Sequence, residues 1–174
     1  KGSLKIKDLL ENQDEYVLII HVETEDYEDV KYLARVANSS YELVNACTGF
    51  ARDFHNATLD SQNTYPITQY LETDTSRTEN SLGHVDIHSK YKNVIWGGMT
   101  VEEKQAPVVT YLELENDVVA LNFDYQVTYQ PEEGEKETYQ VRDYFRIRQT
   151  NLRMYLLLSF QLLDQDGSRD FIRN

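Results

Sequence analysis

The chain alternates apolar and polar residues from Val118 to Tyr129, and this alternation constrains the fold more than any other feature. Successive side chains of a β-strand point to opposite faces, so the pattern predicts a long strand with one buried and one wet face. After a polar loop the pattern returns from Thr138 to Gln149, which predicts a long antiparallel hairpin. The apolar positions are Val119, Leu121, Phe123, Tyr125, Val127, Tyr129, Tyr139, Val141, Phe145 and Ile147.

Two apolar segments flank this hairpin and extend it to a β-meander. Val108–Leu114 precedes it and Met154–Leu163 follows it. The last segment is compatible with a helix by propensity, but a strand buried on both faces fits its place after a long hairpin. Another strand of the same sheet is predicted from His84 to Ile95, before Gly97-Gly98.

The apolar residues of the N-terminal half are spaced differently from those of the hairpin. Tyr16–Val22 is an apolar run that predicts a buried strand or the first part of a longer helix. From Asp26 or Asp29 to about His55, apolar residues recur at spacings of three and four, which predicts an amphipathic helix that Asn38-Ser39-Ser40 can divide in two. The acidic residues before it favour the positive end of its dipole. Short helices are also predicted at Leu4–Asn12 and Ile67–Leu71.

Helices followed by a curved antiparallel sheet that wraps them define an α+β roll. The residues that support this architecture are the helix end Gly49-Phe50-Ala51-Arg52-Asp53-Phe54-His55-Asn56, the candidate helix Ile67–Leu71 and the paired strands of the hairpin. This order resembles the NTF2-like, or cystatin-like, superfamily, and within it the VirB8/TcpC-type extracytoplasmic domains of conjugation and type IV secretion machines. The resemblance implies a domain that works by assembly.

Residues 1–174 are expected to form one globular domain. The chain opens with Lys1-Gly2-Ser3 and without a methionine, so we expect it to be excised from a longer, membrane-anchored protein. The resemblance then places the domain on the extracytoplasmic side of that membrane, held by an anchor that this chain does not contain. No run of about 18 apolar residues is present, so direct membrane insertion by this segment is not expected.

The net charge of −13 restricts the possible partners. An acidic surface repels phosphate backbones, so nucleic-acid binding is not expected. The single cysteine, Cys47, excludes an intrachain disulfide and is predicted to be a small buried hydrophobe on a helix. The sequence contains no phosphate loop, no G-x-S-x-G and no C-x-x-C. We therefore expect no enzymatic activity and no cofactor.

A basic stripe is predicted on the second strand of the hairpin. Arg142, Arg146 and Arg148 fall on one side of it, with Tyr144 between them and Tyr129 on the preceding strand. Arginine binds carboxylates and tyrosine suits protein interfaces, so these five residues are the candidate binding surface. The alternative is cross-strand pairing of the arginines with acidic residues of neighbouring strands, for which the candidates are Asp124, Glu113 and Glu115.

His84, Asp86 and His88 form the best candidate for a metal site, because alternate residues of a strand share one face. The two histidines would lie about 13 Å apart at roughly 3.3 Å per residue, too far to bind one ion together. A solvated strand face is the alternative interpretation.

These patterns predict a non-enzymatic domain that contacts other protein subunits, or further copies of itself, in a membrane-associated complex of the conjugation or secretion type. Two alternatives stay open. One is a small-ligand or metal-binding pocket protein, or an enzyme, on the same fold. The other is an acidic inhibitor or immunity-type protein that neutralises a basic partner.

Overall fold

A computed structural model of the chain describes residues 15–25, 29–37, 39–60, 66–77 and 82–165. The helix predicted at Leu4–Asn12 lies outside these residues. The described strands are β1 (Glu15–Val22), β2 (Val30–Ala37), β3 (His84–Asp86), β4 (Val101–Leu114), β5 (Val118–Tyr129), β6 (Glu137–Gln149) and β7 (Met154–Gln165). The described helices are α1 (Tyr41–Leu59) and α2 (Tyr91–Val94), with 3₁₀ turns at Ile67–Tyr70 and Trp96–Gly98.

Five strands form one antiparallel sheet in the order β3-β7-β6-β5-β4, and this sheet confirms the predicted α+β class. The long hairpin is β5–β6, with Val118 opposite Arg148 and Tyr129 opposite Glu137. The last segment is the strand β7, as its position after the hairpin predicted. Along β5 the residues with odd numbers face inward, because the alternation leaves only that row fully apolar.

Helix α1 covers the inner face of this sheet. Its first turn is capped by Ser40, whose hydroxyl oxygen accepts a hydrogen bond from the amide of Leu43 at 3.4 Å. One face of the helix is buried at spacings of three and four, and Phe54 stacks edge-on against Phe145 of β6 with ring centroids 5.9 Å apart. Each such side chain stabilises the fold by about 1.5–3 kcal/mol. The buried apolar residues of α1 are Leu43, Cys47, Phe50, Ala51, Phe54 and Ala57.

The long helix predicted from Asp26 or Asp29 to His55 is wrong in its first part. Residues Val30–Ala37 form β2, which pairs antiparallel with β1 from Val22 opposite Val30 to Glu15 opposite Ala37. The segment carries both periodicities, and pairing with the neighbouring strand decides between them. Asp29 therefore lies beside this hairpin, where its carboxylate contacts the ring of His21 at 2.5 Å, and not at a helix start.

The strand predicted from His84 to Ile95 is also wrong beyond Asp86. The carboxylate of Asp86 accepts hydrogen bonds from the amide of His88 at 2.9 Å and from the hydroxyl of Ser89 at 3.2 Å. The amide of Ser89 also bonds to the carbonyl of Asp86 at 3.0 Å. This turn, which aspartate favours, reverses the chain and leads into α2.

Strands β1 and β2 form a separate two-stranded sheet, which we call the ribbon. Tyr16–Val22 lies in a strand, one of the two alternatives predicted for it, but the predicted burial is wrong. The core of the described residues contains no side chain from either strand of the ribbon. Arg35 of the ribbon donates a hydrogen bond to the carbonyl of Leu112 on β4. Beside this contact lies a groove of about 360 Å³ between the end of β2 and β4.

Candidate functional site

One histidine is buried between α1 and the five-stranded sheet, which we call the main sheet. His55 lies on α1 directly after Phe54, and its side chain is 1% exposed. Its ring stands edge-on to the rings of Tyr125 and Phe123 on β5, with centroid distances of 4.5 and 5.7 Å. A titratable ring in such an apolar setting requires polar partners for both nitrogen atoms.

Two carboxylates supply those partners. Nδ1 of His55 lies 3.2 Å from Oδ2 of Asp143 on β6, and Nε2 lies 2.9 Å from Oε2 of Glu103 on β4. The hydroxyl of Tyr125 donates to the same Oδ2 of Asp143 at 3.0 Å. These four residues, which we call the His55 cluster, join α1 to three neighbouring strands. Asp143 is buried, whereas Glu103 is partly exposed.

The charges of this cluster determine the protonation of the imidazole. Burial alone would lower the pKa of His55, because it penalises the charged ring. The hydrogen bonds and charges of Asp143, and then those of Glu103, outweigh burial and raise the pKa above its ordinary value. When His55 is protonated, two carboxylates share one imidazolium, so the cluster has one excess negative charge.

The second oxygen of Asp143 is unused. Oδ1 is buried and has no hydrogen-bond partner among the described residues. Asp143 lines a cavity of about 30 Å³ between α1, β3, α2 and β6. An acceptor of this kind costs free energy unless a donor reaches it. The other lining residues are Phe54, Thr58, Leu71, Val85, Asp86, Ile87, Val94 and Phe145.

The sequence pattern alone does not predict the His55 cluster, although it contains two signals for it. Asp143 occupies a core-facing position between Val141 and Phe145 in the alternation of β6, where a charged residue is unexpected. His55 follows Ala51 by one helical turn on the buried face of α1. Neither signal identifies the other residue, because they lie on elements far apart in the chain.

The predicted basic stripe lies on the outer face of the sheet. Nε of Arg142 lies 2.6 Å from Asp124, and Nε of Arg148 lies 3.2 Å from Asp117. Arg146 reaches across the small Ala120 and binds Glu113 through two hydrogen bonds of 2.7 and 2.8 Å. Cross-strand pairing, the alternative interpretation, is therefore present for Asp124 and Glu113. Tyr144 is partly buried beside these pairs, whereas Tyr129 belongs to the inward-facing row of β5 and packs against the core. The role of both tyrosines in binding stays a prediction.

The metal candidates do not converge in the structure. Both carboxylate oxygens of Asp86 accept hydrogen bonds from Nη1 of Arg77 at 2.9 Å. Nδ1 of His88 lies 3.0 Å from the carbonyl oxygen of Glu72. No group of three or more potential metal ligands occurs within the part of the chain that the structure describes.

Cys47 is buried on α1, as predicted. Burial raises the pKa of its thiol to about 11, so the thiol is a poor nucleophile at neutral pH.

Comparisons with known protein families, with curated proteins and with solved structures find no match to this chain. Within the described ranges, no helix combines the length and the apolar character that a membrane crossing requires. The geometry of the described residues is therefore the basis for any functional statement.

Proposed function

We propose that this domain acts by protein–protein contact, as a non-enzymatic assembly module, and that the ribbon is its main contact surface. The observation that carries the proposal is the exposure of large apolar side chains on both strands of the ribbon. Leu33 is 71% exposed, and Val17 and Ile19 are exposed next to it. Clustered apolar side chains on a surface are typical of interaction sites, whereas single ones need no explanation.

The opposite face of the ribbon is apolar along its whole length. Cross-strand pairs bring its members together, and Ile20 and Tyr32 at its centre are both exposed. An ordinary surface hairpin has one apolar and one polar face. The ribbon has apolar residues on both, so contact with one side of its own domain cannot cover it. The residues of this face are Tyr16, Leu18, Ile20, Val22, Val30, Tyr32, Ala34 and Val36.

A two-stranded ribbon is marginally stable unless it packs against something. Its contact with the main sheet includes the hydrogen bond from Arg35 to Leu112, beside a groove that is not filled. A partner that covers the apolar faces would supply the missing packing. In this proposal, assembly and the ordering of the ribbon stabilise each other.

We propose a second copy of this chain as the partner. The whole chain has a net charge of −13, so two copies repel each other over most of their surfaces. The two strands of the ribbon contain one acidic residue, Glu15, and two basic residues, Lys31 and Arg35. The ribbon is thus a place where two acidic copies can meet with little like-charge repulsion.

The same proposal includes a fold family and a cellular location for the domain. Helix α1 precedes a meander of four strands, and β3 lies beside the last of them. This order supports an NTF2-like roll of the type that assembles in conjugation and secretion complexes, and with it an extracytoplasmic location. The ribbon before α1 is an addition to that plan.

Light scattering coupled to size-exclusion chromatography tests the proposal. We expect a discrete oligomer that persists at high salt, because an apolar interface is insensitive to screening. Leu33→Asp should convert it to a monomer, because the substitution places a charge in the interface. The matched control is Leu152→Asp in the β6–β7 turn, where the native leucine is 92% exposed and belongs to neither strand of the ribbon. This variant should keep the oligomer.

Three other outcomes have a clear meaning. A monomer at every concentration that also captures nothing from its native membrane fraction would refute the assembly proposal. An oligomer that Arg146→Ala dissociates, and Leu33→Asp does not, would move the interface to the predicted stripe on β6. Association with a basic partner that high salt abolishes would favour the acidic-inhibitor alternative.

A further inference from the structure

We propose that the His55 cluster is a proton-controlled switch, which holds the start of β4 against α1 while the imidazole is charged and releases it when the imidazole is neutral. The proposal depends on the position of the ring between two carboxylates of different exposure. The side chain of Asp143 on β6 is 8% exposed, and that of Glu103 on β4 is 30% exposed. The switch lies in the main sheet and is independent of the assembly function proposed for the ribbon.

The charged ring satisfies both carboxylates. An imidazolium has two N–H donors, and the two ring nitrogens of His55 lie 3.2 Å from Asp143 and 2.9 Å from Glu103. Tyr125 of β5 is the third titratable group that faces the ring. The charged residues next to His55 on α1 are Arg52 and Asp53, and both are exposed. The two carboxylates are therefore the groups that decide the state of the ring.

The neutral ring can satisfy only one carboxylate, because it has a single N–H donor. Asp143 is the buried one, and its Oδ1 already has no hydrogen-bond partner among the described residues. Without His55 its remaining donor would be the hydroxyl of Tyr125, at 3.0 Å from Oδ2. A buried carboxylate that loses a donor costs more free energy than a carboxylate that water can reach. The proton of the neutral ring therefore stays on Nδ1, between His55 and Asp143.

Glu103 is the carboxylate that leaves. In the neutral ring the lone pair of Nε2 faces Oε2 of Glu103 at 2.9 Å, so two acceptors oppose each other. Loss of the proton also raises the excess negative charge of the cluster, because both carboxylates are then uncompensated. The partly exposed side chain of Glu103 can turn to water and relieve both effects.

The start of β4 is weakly held apart from this contact. β4 is an edge strand of the main sheet, and its register with β5 shifts between Glu103 and Gln105 and again between Gln105 and Val108. Each shift interrupts the ladder of hydrogen bonds. The ion pair between Glu102 and Lys136 is exposed and contributes little. Release of Glu103 should therefore loosen residues 101–107 without unfolding the sheet.

The direction of the pH dependence follows from the cluster. Burial alone would lower the pKa of His55, but the hydrogen bonds and charges of Asp143 and Glu103 raise it above its ordinary value of 6.5. The contact to Glu103 is therefore closed below that value. It opens as pH rises through the pKa of the folded state.

Amide hydrogen exchange of the full chain over a series of pH values tests the switch, with the protonation of His55 followed by NMR in the same samples. After correction for intrinsic exchange, the protection of residues 101–107 should fall by about tenfold or more, the size of one charge-assisted hydrogen bond. The protection of β5 and β6 should not change. Constant protection of residues 101–107 would overturn the proposal, as would an equal fall in all strands.

Two neighbouring variants separate this switch from a general effect of pH. Glu103→Gln keeps the shape of the side chain, and its amide can accept from the charged ring or donate to the neutral one. The fall in protection should therefore disappear in this variant. Glu102→Gln is the matched control, because it removes an exposed carboxylate on the adjacent residue, and it should keep the fall. A fall that persists in Glu103→Gln would refute the switch.

The tautomer of the neutral ring is an independent test. Nitrogen-15 NMR of the imidazole at alkaline pH should show the proton on Nδ1 and a bare Nε2. A proton on Nε2 would mean that the ring keeps Glu103 and releases Asp143, which contradicts the proposed order of events.

Discussion

The ribbon and the main sheet distribute polarity in opposite ways. The main sheet, with α1 over it, buries its apolar side chains and encloses a cluster of charged groups in their midst. The ribbon exposes apolar side chains on both faces. Burying charge and exposing hydrophobic surface both cost free energy in an isolated domain. Features that cost stability without a structural benefit are expected at functional positions, and the exposed apolar faces of the ribbon support the proposal that it is a partner surface.

The largest expected effect comes from breaking the His55 cluster. Asp143→Ala leaves His55 buried with one of its two carboxylates missing, and we expect a loss of about 3–5 kcal/mol in the free energy of unfolding. Asp124→Ala removes a carboxylate from a pair with Arg142 on the partly exposed outer face, and it should cost about 1 kcal/mol or less. Urea denaturation measures both. Equal losses would show that the buried cluster has no special energetic weight.

Matched truncations compare the two regions directly. Leu121→Ala removes a fully buried side chain from β5 and should cost about 2–5 kcal/mol, because it leaves a cavity. Leu33→Ala removes the same atoms from the ribbon, and for the monomer it should change stability by no more than about 0.5 kcal/mol. Denaturation under conditions where the chain is monomeric makes this comparison. A large loss from Leu33→Ala would mean that the ribbon is covered by its own domain.

The smallest expected effect is a pH dependence from His55. Since its pKa is raised in the folded state, its contribution is fully present below the unfolded value of 6.5 and is lost as pH rises through the folded pKa. The groups that face the ring are Asp143, Glu103 and Tyr125. The difference in unfolding free energy between the wild type and His55→Gln should therefore shrink from mildly acidic to alkaline pH. A difference that grows with pH would contradict the assignment of charge in the cluster.

The sequence was sufficient for those elements whose pattern has one interpretation. Strand β5 was predicted with its observed bounds and β6 to within one residue, because a strict alternation over that length fits no helix. The sequence of β2 is compatible with two structures. Val30, Leu33 and Val36 have a helical spacing, which led to the wrong prediction, whereas Val30, Tyr32 and Ala34 have the spacing of a strand. Only pairing with β1, a non-local interaction, decides between the two.

The candidate sites show the same limit. The arginines of β6 were placed on one face correctly, but their cross-strand partners depend on register, which a single sequence does not specify. The charged position of Asp143 was visible in the alternation. Its meaning required His55 and Glu103, which two other elements bring to it.

The His55 cluster also bears on how the chain folds. His55 lies 88 positions before Asp143 and 48 before Glu103. Closing loops of this length costs entropy that short hairpins avoid, so we expect the β5–β6 hairpin to form before the helix docks its histidine. The cluster would then form last, after the transition state of folding. Its contacts would slow unfolding more than they accelerate folding.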